Sequence, residues 1–125
     1  MAAKIMWVSQ HAPTPRQITT LEALFPSHHL IIDPRPFGGA DDIIARYHEA
    51  QADEMVVVAP LTVIRELIKR GIKPLYAEMR QVPCNSKHAE VRLPNGRRCW
   101  RFIRFQRITA VNVKLEPISI EGEHK

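Results

Sequence analysis

The chain has 125 residues, 45% of them hydrophobic and 25% charged, which suits one globular domain with an apolar core. No apolar run approaches the roughly 18 residues of a membrane span, which excludes a membrane-spanning helix. The first four residues lead directly into a predicted strand, without the long apolar region of a signal peptide, so we expect a cytoplasmic protein.

The charge is spread unevenly along the chain, whose formal net charge is +5. Between Cys84 and Leu115, eight Lys or Arg residues stand against one acid, Glu90, so this segment carries +7 and the remainder carries −2. A near-neutral body with a basic segment predicts an anionic partner. Cys84 and Cys99 lack the spacing of a metal site, and we interpret them as reduced thiols.

The first predicted unit is a strand followed by a helix. Residues 5–8 are apolar throughout, as in a central strand, and residues 9–13 form a polar turn. Thr14 and Gln17 then stand in the order of a capping box, with Pro15 at the first helical position. The helix is expected to place four apolar side chains on one face: Ile18, Leu21, Leu24 and Phe25.

Two further units of strand and helix follow, and then a fourth strand. These strands are expected at residues 29–32, 55–58 and 74–78. A loop with two prolines and two glycines, residues 33–39, leads into a helix that begins near Asp41. The third helix is predicted to have Thr62 as its N-cap and Gly71 as its left-handed C-cap. The alternation predicts an α/β domain with a small flavodoxin-like parallel sheet, in the strand order 2-1-3-4.

The pattern changes after Pro83, and residues 84–120 are predicted to form a basic antiparallel β-hairpin addition within a single domain of residues 1–125. Apolar and polar side chains alternate here with the period of a half-exposed strand. The strands are expected at residues 89–93, 98–107 and 110–115. Asn95 and Gly96 are typical of a tight turn between the first two strands. The addition is expected either to extend the sheet or to form a dimer contact.

A ligand site is expected beyond the carboxyl ends of the parallel strands, where their order reverses. Loops at this point supply hydroxyl, imidazole and guanidinium groups, and two helix N-termini, which attract phosphate, point toward it. The candidate residues are Ser9, His11, Thr14, Arg35, Thr62 and Arg80. Such a set suits a nucleotide or a phosphodiester. The sequence contains neither a metal-binding motif nor a cofactor fingerprint, so it predicts no metal and no cofactor.

Several of these residues also have a purely structural interpretation. Thr14 is more often a helix cap than a catalytic group, and His11 is equally compatible with a solvated turn. Arg80 is as compatible with a surface ion pair to Glu78 or Glu54 as with a ligand contact.

The basic addition offers a second kind of site. Its candidate nucleic-acid-binding residues are Arg97, Arg98, Arg101 and Arg104. The aromatic side chains available for stacking on bases are Trp100, Phe102 and Phe105. The alternatives are that these arginines form a solvated sheet face, or that they dock an acidic partner of an interaction or inhibitor protein.

Three short segments resemble those of a known family: residues 9–17, with a Ser/His turn and a Thr-x-x-Gln order, and residues 58–61 and 71–77, with a strand–helix–strand outline. Over residues 1–80 the chain is similar to small CRISPR-associated ring-nuclease-like proteins. These are single Rossmann-like domains of the CARF type, which bind or degrade cyclic oligoadenylate messengers in antiviral defence, usually as dimers. The resemblance implies a homodimer that binds a cyclic oligoadenylate or a related phosphate-bearing nucleotide.

The resemblance also implies a metal-independent phosphodiesterase. A ribose 2′-hydroxyl would attack the adjacent phosphorus and leave a 2′,3′-cyclic phosphate, while the protein orients the strand and stabilises charge. Ser9 and His11 would be the catalytic residues, with His11 assisting proton transfer. Ser9 or Thr62 would contact the phosphate, and Arg35 or Arg80 would neutralise it.

Overall fold

The computed structural model describes residues 2–93, 98–112 and 114–119 of the chain. Its strands are β1 (Lys4–Val8), β2 (His29–Asp33), β3 (Glu54–Val57), β4 (Leu75–Val82), β5 (Val91–Arg92) and β6 (Cys99–Arg107). Its helices are α1 (Pro15–Leu24), α2 (Ala40–Glu49) and α3 (Leu61–Lys69). Within these described ranges, no helix is long and apolar enough to cross a membrane.

The strands form one sheet in the order β2-β1-β3-β4-β6-β5. β1 is parallel to both β2 and β3, and β3 is parallel to β4. β6 is antiparallel to β4 and to β5. The predicted α/β fold with parallel strands in the order 2-1-3-4 is therefore confirmed. The C-terminal strands extend this sheet, which is one of the two arrangements that the sequence predicts.

Helices cover both faces of the central strands, which explains why these strands are apolar throughout. On one face, Ile5, Trp7 and Val56 pack with Leu21 of α1. On the other face, α2 and α3 cover the alternate residues of the same strands. The buried residues of that second layer are Met6, Val8, Ile43, Ile44, Met55, Val57, Ile64, Leu67 and Ile72.

The capping box predicted at the start of α1 is confirmed. The Gln17 N–H donates to Thr14 Oγ1 at 3.2 Å, and the Thr14 N–H donates to Gln17 Oε1 at 2.8 Å. The predicted apolar face is only partly buried: Leu21 is buried, whereas Ile18 and Leu24 are 44% and 52% exposed. The line of α1 that faces the sheet runs through Gln17 and Leu21, one turn apart, and this rotates Ile18 and Leu24 outward.

The predicted end of α3 is confirmed, but its predicted start is wrong. Gly71 follows the helix with a φ of 85°, the left-handed conformation expected of it. Thr62 lies inside the first turn, because α3 begins at Leu61 with Pro60 at the N-cap position. The fixed φ of Pro60 is already compatible with a helix start, so the helix begins without a hydroxyl cap.

β4 is longer than predicted because β6 pairs with it along its whole length, with a bulge between Glu78 and Met79. The prediction of a last strand at residues 110–115 is wrong for residues 110–112 and 114–115, because none of these residues is in a strand. Ile108 and Val111 pack against the α2 and α3 core instead. Val113 and the predicted Asn95-Gly96 turn lie outside the described residues.

The C-terminal extension, residues 83–107, is closed by a disulfide between Cys84 and Cys99. The interpretation of these residues as reduced thiols is therefore wrong. The pairing of Val82 with Cys99 brings Cys84, two residues further along, close to Cys99, and the two Cα atoms are 5.1 Å apart, within the range that a disulfide bridges. A separation of 15 residues along the chain does not reveal this contact.

Glu90 and Arg16 fix the extension to the body of the domain. Glu90 Oε2 accepts the Phe102 N–H at 3.1 Å, and Glu90 Oε1 accepts a hydrogen bond from Arg16 Nη1. Arg16 Nη1 also donates to Phe102 O at 2.8 Å, and its guanidinium lies 5.7 Å from the centroid of the Phe102 ring. At the far end of β6, Arg107 donates to both carboxylate oxygens of Glu54, at 3.0 and 2.7 Å.

Candidate functional site

A cleft lies beyond the carboxyl ends of β1, β2 and β3, where the sequence predicts the ligand site; we call it the polar cleft after its polar side chains, although apolar atoms supply most of its lining. Its volume is about 240 Å³. Of the predicted site residues, it brings together Ser9, His11 and Arg35, and it does not include Thr14, Thr62 or Arg80.

Ser9 and His11 form a tight turn whose contacts run through the main chain. The His11 N–H donates to Ser9 Oγ at 3.1 Å, and Trp7 Nε1 donates to His11 O at 2.8 Å. The buried indole of Trp7 therefore fixes the position of the turn. Because the Ser9 hydroxyl meets the His11 main chain rather than its imidazole, the two side chains do not form a nucleophile–base pair here.

Arg35 is bound to the buried carboxylate of Asp33. Arg35 Nε donates to Asp33 Oδ1 at 2.9 Å, and Nη2 donates to Oδ2 at 2.7 Å. The side-chain hydrogen bond from Arg35 is the main cause that lowers the pKa of Asp33 to about 2, and the same bond raises the pKa of Arg35. The Arg35 side chain remains 68% exposed. Two of its five N–H donors are used by Asp33, so the others can reach an anion in the cleft.

Arg46 of α2 holds the Arg35 loop in place, a role that the sequence analysis missed. Arg46 Nη1 donates to Arg35 O at 3.2 Å, and Nη2 donates to Pro36 O at 2.6 Å. Arg46 Nη2 also pairs with Asp42 at 2.9 Å, one turn earlier in the helix. The spacing of Asp42 and Arg46 is the sequence signal that could have identified this ion pair.

The helix N-termini near the cleft are less open to an anion than predicted. The capping box of α1 already satisfies the N–H of Gln17, and Pro15 has none to offer. At the start of α3, neither Leu61 nor Thr62 lines the cleft. Thr14 therefore acts as the cap of α1, which is the structural one of the two interpretations given above.

Arg80 lies within β4, directly opposite Arg101 of β6, rather than in a loop at the cleft. Their chain neighbours face α1: Met79 contacts Gln17, and Phe102 lies under Arg16. Because side chains alternate across a sheet, Arg80 and Arg101 point to the opposite side.

A basic face results on this side of β4, β6 and β5. We define it by its four arginines, which are Arg80, Arg92, Arg101 and Arg104. The core of α2 and α3 does not extend to this face, because none of its buried residues belongs to β4, β5 or β6. Two of the predicted nucleic-acid-binding residues, Arg101 and Arg104, belong to it.

The charges of this face are only partly balanced. Arg104 Nε lies 3.4 Å from Glu78 Oε1, and Gln106 Nε2 donates to the same oxygen at 2.5 Å. Neither Arg80 nor Arg101 has an acidic partner among the residues that the structure describes. The surface ion pair considered for Arg80 is therefore absent, since Glu78 pairs with Arg104 and Glu54 pairs with Arg107.

The aromatic side chains of the extension do not serve the basic face. Phe102 is wholly buried, its ring centroid lies 4.8 Å from that of Phe105, and Phe105 packs edge-on against Trp7. The prediction that Phe102 and Phe105 are available for stacking is therefore wrong, because both belong to the α1 side of the sheet. Trp100 is half-buried on that same side.

The remaining predicted arginines of the extension lie apart from the basic face. Arg98 is exposed and lies two residues before Trp100. Because side chains alternate along an extended chain, Arg98 is on the same side as Trp100 and on the opposite side from Arg101. Arg97 lies outside the described residues.

Tyr76 is the functional candidate that the sequence analysis missed. It is 47% exposed, lies in β4 opposite Gln106, and precedes Glu78 and Arg80 at alternate positions of the same strand. Leu75, Tyr76 and Ala77 form an apolar run typical of a strand that is buried on both faces, so the sequence did not indicate that Tyr76 is exposed.

The comparisons with known proteins place the chain in no family. No protein-family model, curated protein or solved structure matches it. The resemblance to ring-nuclease-like proteins, with all that it implies, therefore stays a prediction. Over the described part of the chain, no group of three or more His, Cys, Asp or Glu side chains is arranged to hold a metal ion.

Proposed function

We propose that this chain binds nucleic acid through the basic face. The observation that carries the proposal is the direct opposition of Arg80 and Arg101 on neighbouring strands. Like charges at such positions destabilise a sheet. A phosphate backbone that lies across both residues would relieve this repulsion and supply the missing negative charge.

The surroundings of this pair also favour a polyanion. The segment from Cys84 to Leu115 carries +7, and its acid, Glu90, is already bound to Arg16. The arginines of the basic face project from paired strands rather than from loops, so their relative positions are fixed before a ligand binds.

The test is the salt dependence of binding to a labelled oligonucleotide, followed by fluorescence anisotropy. The matched control is Arg70→Ala, which removes an exposed arginine of α3 that pairs with Asp41. The double variant Arg80→Ala/Arg101→Ala is expected to lose about ten-fold or more in affinity. For a single-stranded oligonucleotide, its negative slope of log K against log salt should become shallower by about 1.4, because two phosphate contacts are lost. Arg70→Ala should bind as the wild type does. Equal slopes for the double variant and the wild type would overturn the proposal.

A second function is favoured by the meeting of Ser9, His11 and Arg35 in the polar cleft. We propose that this cleft binds a phosphate-bearing nucleotide, with a cyclic oligoadenylate as the ligand that the resemblance implies. A cleft of about 240 Å³ holds one part of such a ring, so the complete ligand would need two clefts related by the two-fold axis of a homodimer. Incubation with cyclic oligoadenylates and analysis of the products tests both binding and metal-independent cleavage.

Three finer points belong to the same proposal. A Rossmann-like domain of the CARF type and a role in antiviral defence are supported by the resemblance. A cytoplasmic location is proposed together with the nucleotide messenger that the resemblance implies, whereas the Cys84–Cys99 disulfide is typical of oxidising compartments and of hyperthermophile cytosol. Detection of the protein in separated cell fractions tests the location.

A further inference from the structure

An apolar cleft of about 470 Å³ lies beside the basic face, at the carboxyl end of β3 and the first residues of β4. Ile64, Ile108 and Val111 contribute to its lining. Three of its apolar or aromatic side chains are strongly exposed: Val58 (65%), Leu61 (62%) and Tyr76 (47%). A cluster of exposed apolar side chains around a cleft points to a ligand rather than to a requirement of the fold.

Tyr76 joins this apolar cleft to the basic face. Tyr76, Glu78 and Arg80 are alternate residues of β4, and about 13 Å of strand separates Tyr76 from Arg80. Arg104 and Arg101 run alongside on β6, opposite Glu78 and Arg80. The two features therefore form one continuous surface, which is aromatic and apolar at one end and cationic at the other.

We propose that this surface binds single-stranded nucleic acid, with a base in the apolar cleft against Tyr76 and the phosphates along the basic face. The proposal rests on the proposed nucleic-acid binding and assigns its ligand class. In a single strand each base has an open face that can stack on an aromatic side chain. In a duplex the bases are paired and stacked, so none can enter the cleft without being flipped out of the helix.

The combination of cationic and apolar groups on this surface favours a single strand over an acidic protein. An acidic peptide would complement Arg80 and Arg101, but it would fill the apolar cleft only if it also carried an apolar side chain at one fixed position. A single strand carries both kinds of group, an aromatic base and a phosphate, in each nucleotide.

The test compares four labelled probes in anisotropy titrations with the full chain. They are a short single strand, the same sequence as a duplex, a single strand of abasic sites with the same number of phosphates, and polyglutamate. The single strand is expected to bind about ten-fold or more tightly than the duplex and the abasic strand, the magnitude of one stacked base. Tightest binding to polyglutamate would overturn both the proposed function and this inference.

Variants of the cleft supply the second half of the test. Tyr76→Ala should lose about ten-fold in affinity for the single strand and nothing for the abasic strand, while Tyr76→Phe should bind as the wild type does. Leu61→Glu, at a largely exposed position, places a negative charge in the apolar cleft and should also weaken binding of the single strand, so the test does not depend on one variant. If Arg80→Ala loses affinity while Tyr76→Ala and Leu61→Glu do not, the inference fails and the proposed function stands. If the wild type binds none of the probes, both fail.

Discussion

Loss of Glu90 is expected to loosen the attachment of the C-terminal extension, and with it the basic face. Glu90 is the acceptor for the partly buried Phe102 N–H, at 3.1 Å, and the ion-pair partner of Arg16. Its side chain is 17% exposed, and Phe102 is wholly buried. Glu90→Ala would therefore leave a partly buried N–H without its acceptor and the Arg16 guanidinium without its ion-pair partner.

The expected loss in free energy of unfolding is about 2 kcal/mol for Glu90→Ala. An unsatisfied, partly buried N–H at Phe102 costs about 1–3 kcal/mol. The ion pair adds about 0.5 kcal/mol, because the Arg16 side chain is 48% exposed and solvent screens it. Glu90→Gln keeps a carbonyl acceptor for Phe102 and removes only the charge, so we expect it to lose about 1 kcal/mol or less.

Urea unfolding followed by tryptophan fluorescence is the assay. Trp7 in β1 reports on the body of the domain and Trp100 in β6 reports on the extension. Glu116→Ala, at an exposed position, is the control and should leave the stability unchanged. A Glu90→Ala variant within about 0.5 kcal/mol of the wild type would refute the argument that Glu90 fixes the extension.

Two further predictions concern stability. The pKa of Asp33 is about 2 in the fold, chiefly because of Arg35, against 3.8 for an ordinary aspartate, so its stabilisation is complete above about pH 4 and is lost as the pH falls toward 2. As the pH falls over that interval, the free energy of unfolding measured with urea should decrease by about 1–2 kcal/mol less in Asp33→Asn than in the wild type. Identical pH profiles of the two proteins would contradict this. Reduction of the Cys84–Cys99 disulfide should lower the free energy of unfolding by about 3 kcal/mol, because it opens a 15-residue loop. The double variant Cys84→Ser/Cys99→Ser should show the same loss and no further response to reductant.

The parallel part of the fold was predictable from the sequence because its signals are local. Apolar runs identified β1 and β3, the Thr14 and Gln17 pair identified the start of α1, and Gly71 identified the end of α3. Each depends on a few consecutive residues, which the rest of the chain does not override. The start of α3 was missed because Thr62 and Pro60 are competing local signals, and Pro60 prevails.

The candidate sites were less predictable because they depend on contacts between distant residues. Arg80 was expected in a loop, yet pairing with β6 extends β4 past it and turns its side chain toward Arg101. Alternation along β6 indicated that one face is buried without indicating which one, so Phe102 and Phe105 were named as available for stacking although both pack in the core on the α1 side. The contact of Cys84 with Cys99 likewise arises from the path of the chain after β4. By contrast, Ser9, His11 and Arg35 meet as predicted, because the carboxyl ends of parallel strands lie together.

The most direct test of the central claim compares two sets of variants with two ligands. The claim is that the basic face, rather than the polar cleft, binds the nucleic acid. Dissociation constants for a single-stranded oligonucleotide and for a cyclic oligoadenylate should be measured with Arg80→Ala and Arg101→Ala, and with Ser9→Ala and His11→Ala. We expect each arginine variant to lose about ten-fold in affinity for the oligonucleotide, and the Ser9 and His11 variants to lose none. Loss of oligonucleotide affinity in the Ser9 and His11 variants alone would contradict the account.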